Sequence, residues 1–314
     1  MTVIYVLQVL VPLLLILWIG IFTARNLFSF VCESLAVFTL LLTLVFTGMW
    51  IIPPWWTPYV FALLLLAVIL HIIWRKPRFD SVLPAGVKNW IRPSIFIALI
   101  IISLTQLLPA LRGRVPPQQV VALEFPLESG DYLIISGGDH GTINSHFMTL
   151  DENVPRFRQW RGQSYALDIV KVNNWAFRGS GIMPANPTSY FIYGTEVLAP
   201  CTGSVKKVVD NVPDNQVPIM NRESMSGNHV ILSCEGVEVV LAHLIPNSIR
   251  VSENSRVVAG QFLGLAGNSG NSGEPHLHIH VQAVGAPEGT LDTNPIPFTI
   301  AGQYWVRNQI MLVP

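Results

Sequence analysis

The sequence predicts a four-helix transmembrane region followed by an all-β extracytoplasmic domain, and three observations lead there. Charged residues make up only 12% of the 314 residues, about half the share usual in soluble domains, and mean hydropathy is +0.47. The apolar excess lies almost entirely before residue 112. Beyond it, short alternating runs sit between turn residues, the pattern of antiparallel strands. The expected division is a helical region at 1–111, a linker at 112–117 and a β domain at 118–314.

Four apolar stretches carry the helical half: Val3 to Phe22, Ala36 to Ile52, Pro58 to Trp74 and Ser94 to Leu111. Each has about 17–20 residues, enough for a helix to cross a hydrocarbon core of ~30 Å. The first lacks a charged leader and a small-residue cleavage site after Phe22, so it reads as a retained helix rather than a signal peptide. Glu33 and His71 lie near the ends of apolar runs, where their heads are expected to snorkel to the interface. No other ionisable group interrupts a span, so a transport path has no support here.

Basic residues in short loops set the orientation. The third loop carries Arg75, Lys76, Arg78, Lys88 and Arg92 and is expected on the cytoplasmic side, as is the first loop with Arg25. The second loop, "PPWWTP", is uncharged, and its two Trp suit the outer headgroup region. The chain after the fourth helix therefore falls outside the cytoplasm, although Arg112 and Arg114 pull weakly the other way. A multi-pass protein of the bacterial inner membrane is the expectation, with the lipid bilayer as one partner. Lys+Arg and Asp+Glu balance at 19 each, so no global field recruits nucleic acid.

After the Pro pair of "RGRVPPQQ", the strand candidates are "YLIIS", "YALDIV", "GSVKKVV", "NHVILSC", "VEVVLAHL" and "HLHIHVQ". Cys201 and Cys234 both stand at strand-to-turn junctions, and an oxidising compartment would allow them to pair. Seven of the eight histidines lie after residue 139. His276, His278 and His280 alternate with apolar residues, so on a strand they project to one face. Neutral imidazole is a common metal ligand. A hydrolytic zinc site needs three protein ligands, an open position and groups that handle protons. Asp168 is a lone carboxylate in an apolar strand, which metal ligation would explain. His243 is likewise a lone polar residue in "VVLAHL".

These motifs are similar, in order, to those of the lysostaphin-type (LytM-like) zinc metalloendopeptidases, which cut peptide bonds in bacterial peptidoglycan. "GNHVIL", "VVLAHL" and "GNSGNSGEPHLHIH" carry the resemblance, together with the "APCTG" turn. It runs from "GGDHGTINSH" to "HLHIHV" and leaves out the membrane half. The resemblance implies a lysostaphin-like β fold with His278 and Asp168 as zinc ligands. It makes His276 and His243 the catalytic histidines that do not bind metal. The commonest form of the motif has a histidine four residues before the aspartate, where this chain has Ser164. The chain instead looks like a branch reading "N-x-H … Q-x-Y-A-x-D", which maps the first ligand to His146, with His140 as the rival. His280 stands where the family usually has an acidic residue, as a partner of the ligands or a solvated strand end. His229 takes a position that is usually aromatic and reads as structural.

The implied function is a membrane-anchored zinc metalloendopeptidase with a peptidoglycan peptide as substrate. The other reading is a non-catalytic cell-wall-binding regulator or activator of another hydrolase. Such regulators lose ligands, whereas Asp168, His243, His276 and His278 are all present.

Overall fold

The computed structural model describes residues 6–75, 79–117, 119–287 and 290–313. The chain divides into two compact units, Met1–Leu111 and Arg112–Pro314. Lys76 and Arg78 of the third loop lie outside the described residues.

In the first unit a π turn, Val6–Leu10, leads into α1 (Val11–Ile21), followed by α2 (Leu27–Thr47), α3 (Thr57–Trp74) and α4 (Ile91–Arg112). Among the described residues, three helical segments are apolar and long enough to cross a membrane: Leu27–Thr47, Thr57–Trp74 and Val87–Arg112. The first apolar helix, Val6–Ile21, is shorter. Large apolar side chains such as Leu14, Leu63, Leu70, Ile95 and Ile101 point outward, while Ile16, Ile19, Val37, Leu41 and Leu65 pack inward. A helix with apolar residues on both faces suits an apolar surround.

α2 begins nine residues before the predicted Ala36. Asn26 caps it, its side-chain oxygen accepting from the Ser29 amide at 2.8 Å. Cys32, Glu33 and Ser34 precede the predicted Ala36, yet they sit inside the helix. Glu33 does not snorkel: it is fully buried, and Arg92 grips both its oxygens at 2.6 and 2.7 Å. A buried carboxylate held in this bidentate way no longer interrupts an apolar helix. At the other end, Gly48 and the Pro53–Pro54 pair stop α2 before the predicted Ile52. His71 lies exposed on the last turn of α3.

The second unit is built on strands. β1 (Val121–Leu123) pairs in parallel with β12 (Phe298–Ile300), and β4 (Glu196–Leu198) pairs with β9 (Phe262–Leu265). Among the described residues, the main sheet has nine antiparallel strands in the order β13–β2–β3–β10–β7–β6–β5–β8, with β11 beside β10. Their ranges are β2 Gly130–Ser136, β3 Leu167–Lys171, β5 Gly203–Val209, β6 Asn228–Cys234, β7 Val237–Leu244 and β8 Arg256–Val257. The remainder are β10 Leu277–Ala283, β11 Pro295–Ile296 and β13 Ile310–Val313. All six predicted strand runs coincide with strands. The short partners were not predicted, because two to four residues carry too little alternation to register.

β10 lies between β3 and β7 and is buried on both faces. Leu277, Ile279 and Val281 point into the main core with Leu167, Ile169, Val239 and Leu241. Each such side chain contributes about 1.5–3 kcal/mol of burial. The alternate residues His278, His280 and Gln282 are therefore forced to the opposite face.

Cys201 and Cys234 are joined by a disulfide, with Cα atoms 6.2 Å apart and 33 residues of separation. It ties the β4–β5 turn to the end of β6. A Cys201→Ser/Cys234→Ser variant should lose about 2–5 kcal/mol of stability. Denaturant unfolding of the whole chain, followed by tryptophan fluorescence with and without reductant, would check this.

Candidate metal centre

Asp168 sits in β3 directly opposite His278 of β10, whose other neighbour across the sheet is Ala242 of β7. His278 Nδ1 lies 3.0 Å from Asp168 Oδ1. His146 Nε2 approaches the other carboxylate oxygen at 3.5 Å, and His276 Nε2 is 3.5 Å from Oδ1. Candidate ligand atoms of His146, Asp168 and His278 all fall within 4.8 Å of one another, as do those of His243, His276 and His278. Two triads therefore share His278. The mixed triad is the one that includes a carboxylate, and a three-residue His/Asp set suits Zn²⁺.

The upstream ligand candidates separate clearly in space. His146 opens a 3-10 turn, Ser145–Leu150, capped by Asn144, and its ring meets that of His278 with centroids 4.8 Å apart. His140 instead turns its Nδ1 to Thr142, whose backbone amide donates to it at 3.1 Å, and its ring stacks on Phe147. Ser164 is fully buried and binds the Arg161 carbonyl and the Thr149 hydroxyl.

Asn144 explains the "N-x-H … Q-x-Y-A-x-D" spacing physically. Its oxygen accepts from the His146 backbone amide at 3.0 Å. Its amide donates to the carbonyls of Gly138, Ser164 and Ala166 at 3.0–3.3 Å. One buried side chain thus fastens the loop carrying His146 to the segment entering β3. Sequence reasoning passed over Asn144, although it is the first letter of the motif.

His243, next to last in β7, has φ 66°, a left-handed conformation uncommon for a residue with a side chain. A register shift between Asn228 and His229 accompanies it. Its Nδ1 faces the Ser269 carbonyl at 2.8 Å, so Nδ1 carries the hydrogen and Nε2 is the free nitrogen. His276 makes the same kind of contact with the Glu274 carbonyl at 2.9 Å. The two rings lie 4.8 Å apart. His280 is buried, not a solvated strand end, and its Nδ1 is 3.0 Å from His278 Nε2. His229 is half-buried and bonded to the Gly227 carbonyl.

The electrostatics follow from this crowding. Burial lowers the His146 pKa to about 4, only partly offset by Asp168. Burial also works against ionisation of Asp168, but His146 and His276 outweigh it and hold the carboxyl well below its usual range. Burial would lower His276 too, yet the neighbouring Asp168 raises it on balance. His243 is driven well below its ordinary value by burial, then by His276 and His278.

A cleft of about 370 Å³ opens over these groups, with Met148, Phe157, Trp160 and Met225 along its walls. Arg178 and Glu274 brace the loop that delivers His276. Arg178 is 3% exposed and makes three contacts of 2.7–3.0 Å to the Glu274 carboxylate. The pair was not foreseen, since 96 residues separate its members.

Residues 188–289, within the β unit, match the family model described as Peptidase family M23. His243, His276 and His278 lie inside the match, while His146 and Asp168 precede it. No curated protein matches the chain. Solved structures similar to it include a putative peptidase M23 from Pseudomonas aeruginosa. That match has 18% identity and a TM-score of 0.30, over 58% of this chain and 50% of that one. A zinc-containing peptidase from Vibrio cholerae matches at 24% identity and TM-score 0.24, over 35% of this chain and 29% of that one. The catalytic domain of lysostaphin from Staphylococcus simulans matches at 20% identity and TM-score 0.24, covering 38% and 85% of the two chains. The chain thus spans half or less of the length of the first two structures.

Removing one partner of a buried ion pair leaves the other charge uncompensated, at a cost of about 3–5 kcal/mol. Arg178→Met should therefore destabilise the β unit by that order and displace His276. The Arg178→Met/Glu274→Met double variant should recover much of the loss. A double-variant cycle by chemical denaturation measures both effects.

Proposed function

We propose that the β unit is a zinc metalloendopeptidase that hydrolyses peptide bonds in peptidoglycan, anchored to the bacterial inner membrane by the apolar helices. The single observation carrying this reading is the meeting of His146, Asp168 and His278 in one largely buried cluster at the floor of an open cleft. The M23 match supports peptide hydrolysis. The domain division at 112–117, and the extracytoplasmic side for residues 118–314, belong to the same proposal.

His146, Asp168 and His278 would hold the metal through imidazole nitrogens and a carboxylate oxygen. The donor set fits zinc, because the three groups converge and His146 and Asp168 are kept from protonation together. Zinc held there supplies Lewis acidity toward a scissile carbonyl and makes water more acidic. His243 and His276 do the proton work. Each is tied through Nδ1 to a backbone carbonyl, so the neutral ring can accept a proton from the attacking water at Nε2, and only the protonated ring can donate from Nε2 to the developing oxyanion. The cleft walls position an extended peptide over these groups. A non-catalytic wall-binding role is the less favoured reading, since all five residues needed for catalysis are gathered in one place.

Loss of a ligand leaves two protein donors, too few for a stable site. His146→Ala, Asp168→Ala and His278→Ala should lose both zinc and activity. His243→Ala and His276→Ala should keep zinc and lose about 10²-fold or more in rate. His140→Ala should be nearly neutral. Metal content and peptidoglycan zymography of the whole chain, with and without chelator, decide among these. Zinc retained by His146→Ala but lost by His140→Ala would move the first ligand to His140.

Orientation has a separate test. A reporter fused after Pro314 should be active only when it requires the extracytoplasmic side. Activity of a cytoplasm-dependent reporter at that position would overturn both the topology and peptidoglycan as substrate.

A further inference from the structure

Behind His278, on the sheet face away from the apolar core, buried polar groups run in line. His280 Nδ1 is 3.0 Å from His278 Nε2, and His280 Nε2 is 3.3 Å from Gln282 Oε1. The Gln282 amide donates to Glu238 Oε2 at 3.0 Å, and Lys206 pairs with Glu238 Oε1. His280, Gln282 and Glu238 are each at most 2% exposed, while the Lys206 side chain is 41% exposed. The register makes the row: His278, His280 and Gln282 occupy alternate positions of β10, and Gln282 pairs with Glu238 on β7. Gly162 packs against the Gln282 side chain, and a Cβ there would fall 2.3 Å from Gln282 Oε1.

The row has only one self-consistent direction. A carboxylate paired with a lysine can only accept, so Gln282 must turn its NH₂ to Glu238 and its oxygen to His280. That oxygen can only accept, so His280 carries its hydrogen on Nε2 and leaves Nδ1 bare. Bare Nδ1 in turn requires His278 to donate from Nε2. The lone pair of His278 is then left on Nδ1, 3.0 Å from an Asp168 oxygen that also only accepts. Two acceptors at that separation call for a cation between them, either a proton carried by His278 or a metal ion.

The geometry points to Lys206, Glu238, Gln282 and His280 as a directional relay that fixes the tautomer of His278 and turns its Nδ1 lone pair toward the metal position. These are positioning residues, and none touches substrate. The proposal rests on the metal-site reading above but can fail separately from it. Hydrogen-bond partners of ligand histidines typically change metal affinity by about 10–100-fold.

The test uses the whole chain in micelles. In the metal-free protein with ¹⁵N-labelled histidine, His280 should show hydrogen on Nε2 and none on Nδ1. Glu238→Gln, whose amide can present either an oxygen or an NH₂ to Gln282, should give a mixture of His280 tautomers. Zinc affinity, read by competition with a chromophoric chelator, should fall about 10-fold or more in Glu238→Gln. Placing an acceptor-only group directly beside His278, as His280→Glu does, should restore tight binding and make it indifferent to Glu238→Gln. Should Glu238→Gln not fold, Gln282→Met supplies the same comparison. The relay is overturned if wild-type His280 carries its hydrogen on Nδ1, if the first variant binds zinc like the wild type, or if its loss persists undiminished in the His280→Glu background. A wild type that binds no zinc would sink the metal reading, while the tautomer of His280 would still judge the relay.

Discussion

The β unit depends on one juxtaposition, the Asp168 carboxylate set opposite His278 across the β3–β10 pairing. An isolated carboxylate in a protein interior is costly, and this one is 8% exposed. The surrounding imidazoles make it tolerable, and the strand register delivers them. A slip of one residue would turn Asp168 into the apolar core and Leu167 into the cleft. The apolar residues on the far face therefore do more than fill the core. Leu167, Ile169, Leu277 and Ile279 hold the register that keeps the carboxylate and imidazole together.

The remaining groups reach the site from less regular chain, and each is held by buried polar contacts. Asn144 binds the His146 loop to the segment entering β3, and the Arg178–Glu274 pair anchors the approach to His276. The left-handed turn at His243 lifts that side chain out of the strand's alternation, where Ala242 occupies the place beside His278. Regular pairing thus sets the centre of the site, and specific hydrogen bonds set its rim. Burial of these contacts in an apolar surround makes them strong and makes their loss expensive.

Much of this was legible in the sequence, for identifiable reasons. The six longer strands announced themselves by alternation, and β10 did so most clearly because its histidines fall on every second residue. His146 came from motif spacing rather than from any local property, since "INSHF" has no strand or helix pattern. Asn144, Gln282 and Glu238 were passed over because a single Asn, Gln or Glu looks ordinary until its partners are known. The short strands β1, β8, β11 and β12 were invisible, being fixed by tertiary pairing rather than by their own residues. The cysteines were legible only as candidates; their pairing depended on where the β4–β5 turn would fall.

Glu33 and Asp168 show why the sequence was read well at one carboxylate and poorly at the other. Both are lone acids in apolar runs, and both are buried against a partner far along the chain, 59 residues away for Glu33 and 110 for Asp168. Asp168 lay in a strand whose neighbours were suggested by a motif, so its histidines could be named. Glu33 lay in a helix with no motif, and Arg92 was counted among the loop charges. Once Arg92 is recognised as its partner, the pair accounts for the early start of α2 and links α2 to the first turn of α4. A solitary carboxylate in an apolar segment is therefore better read as a sign of a missing cationic or metal partner than as the segment's end. That rule holds in both units because an unpaired buried charge is costly in each.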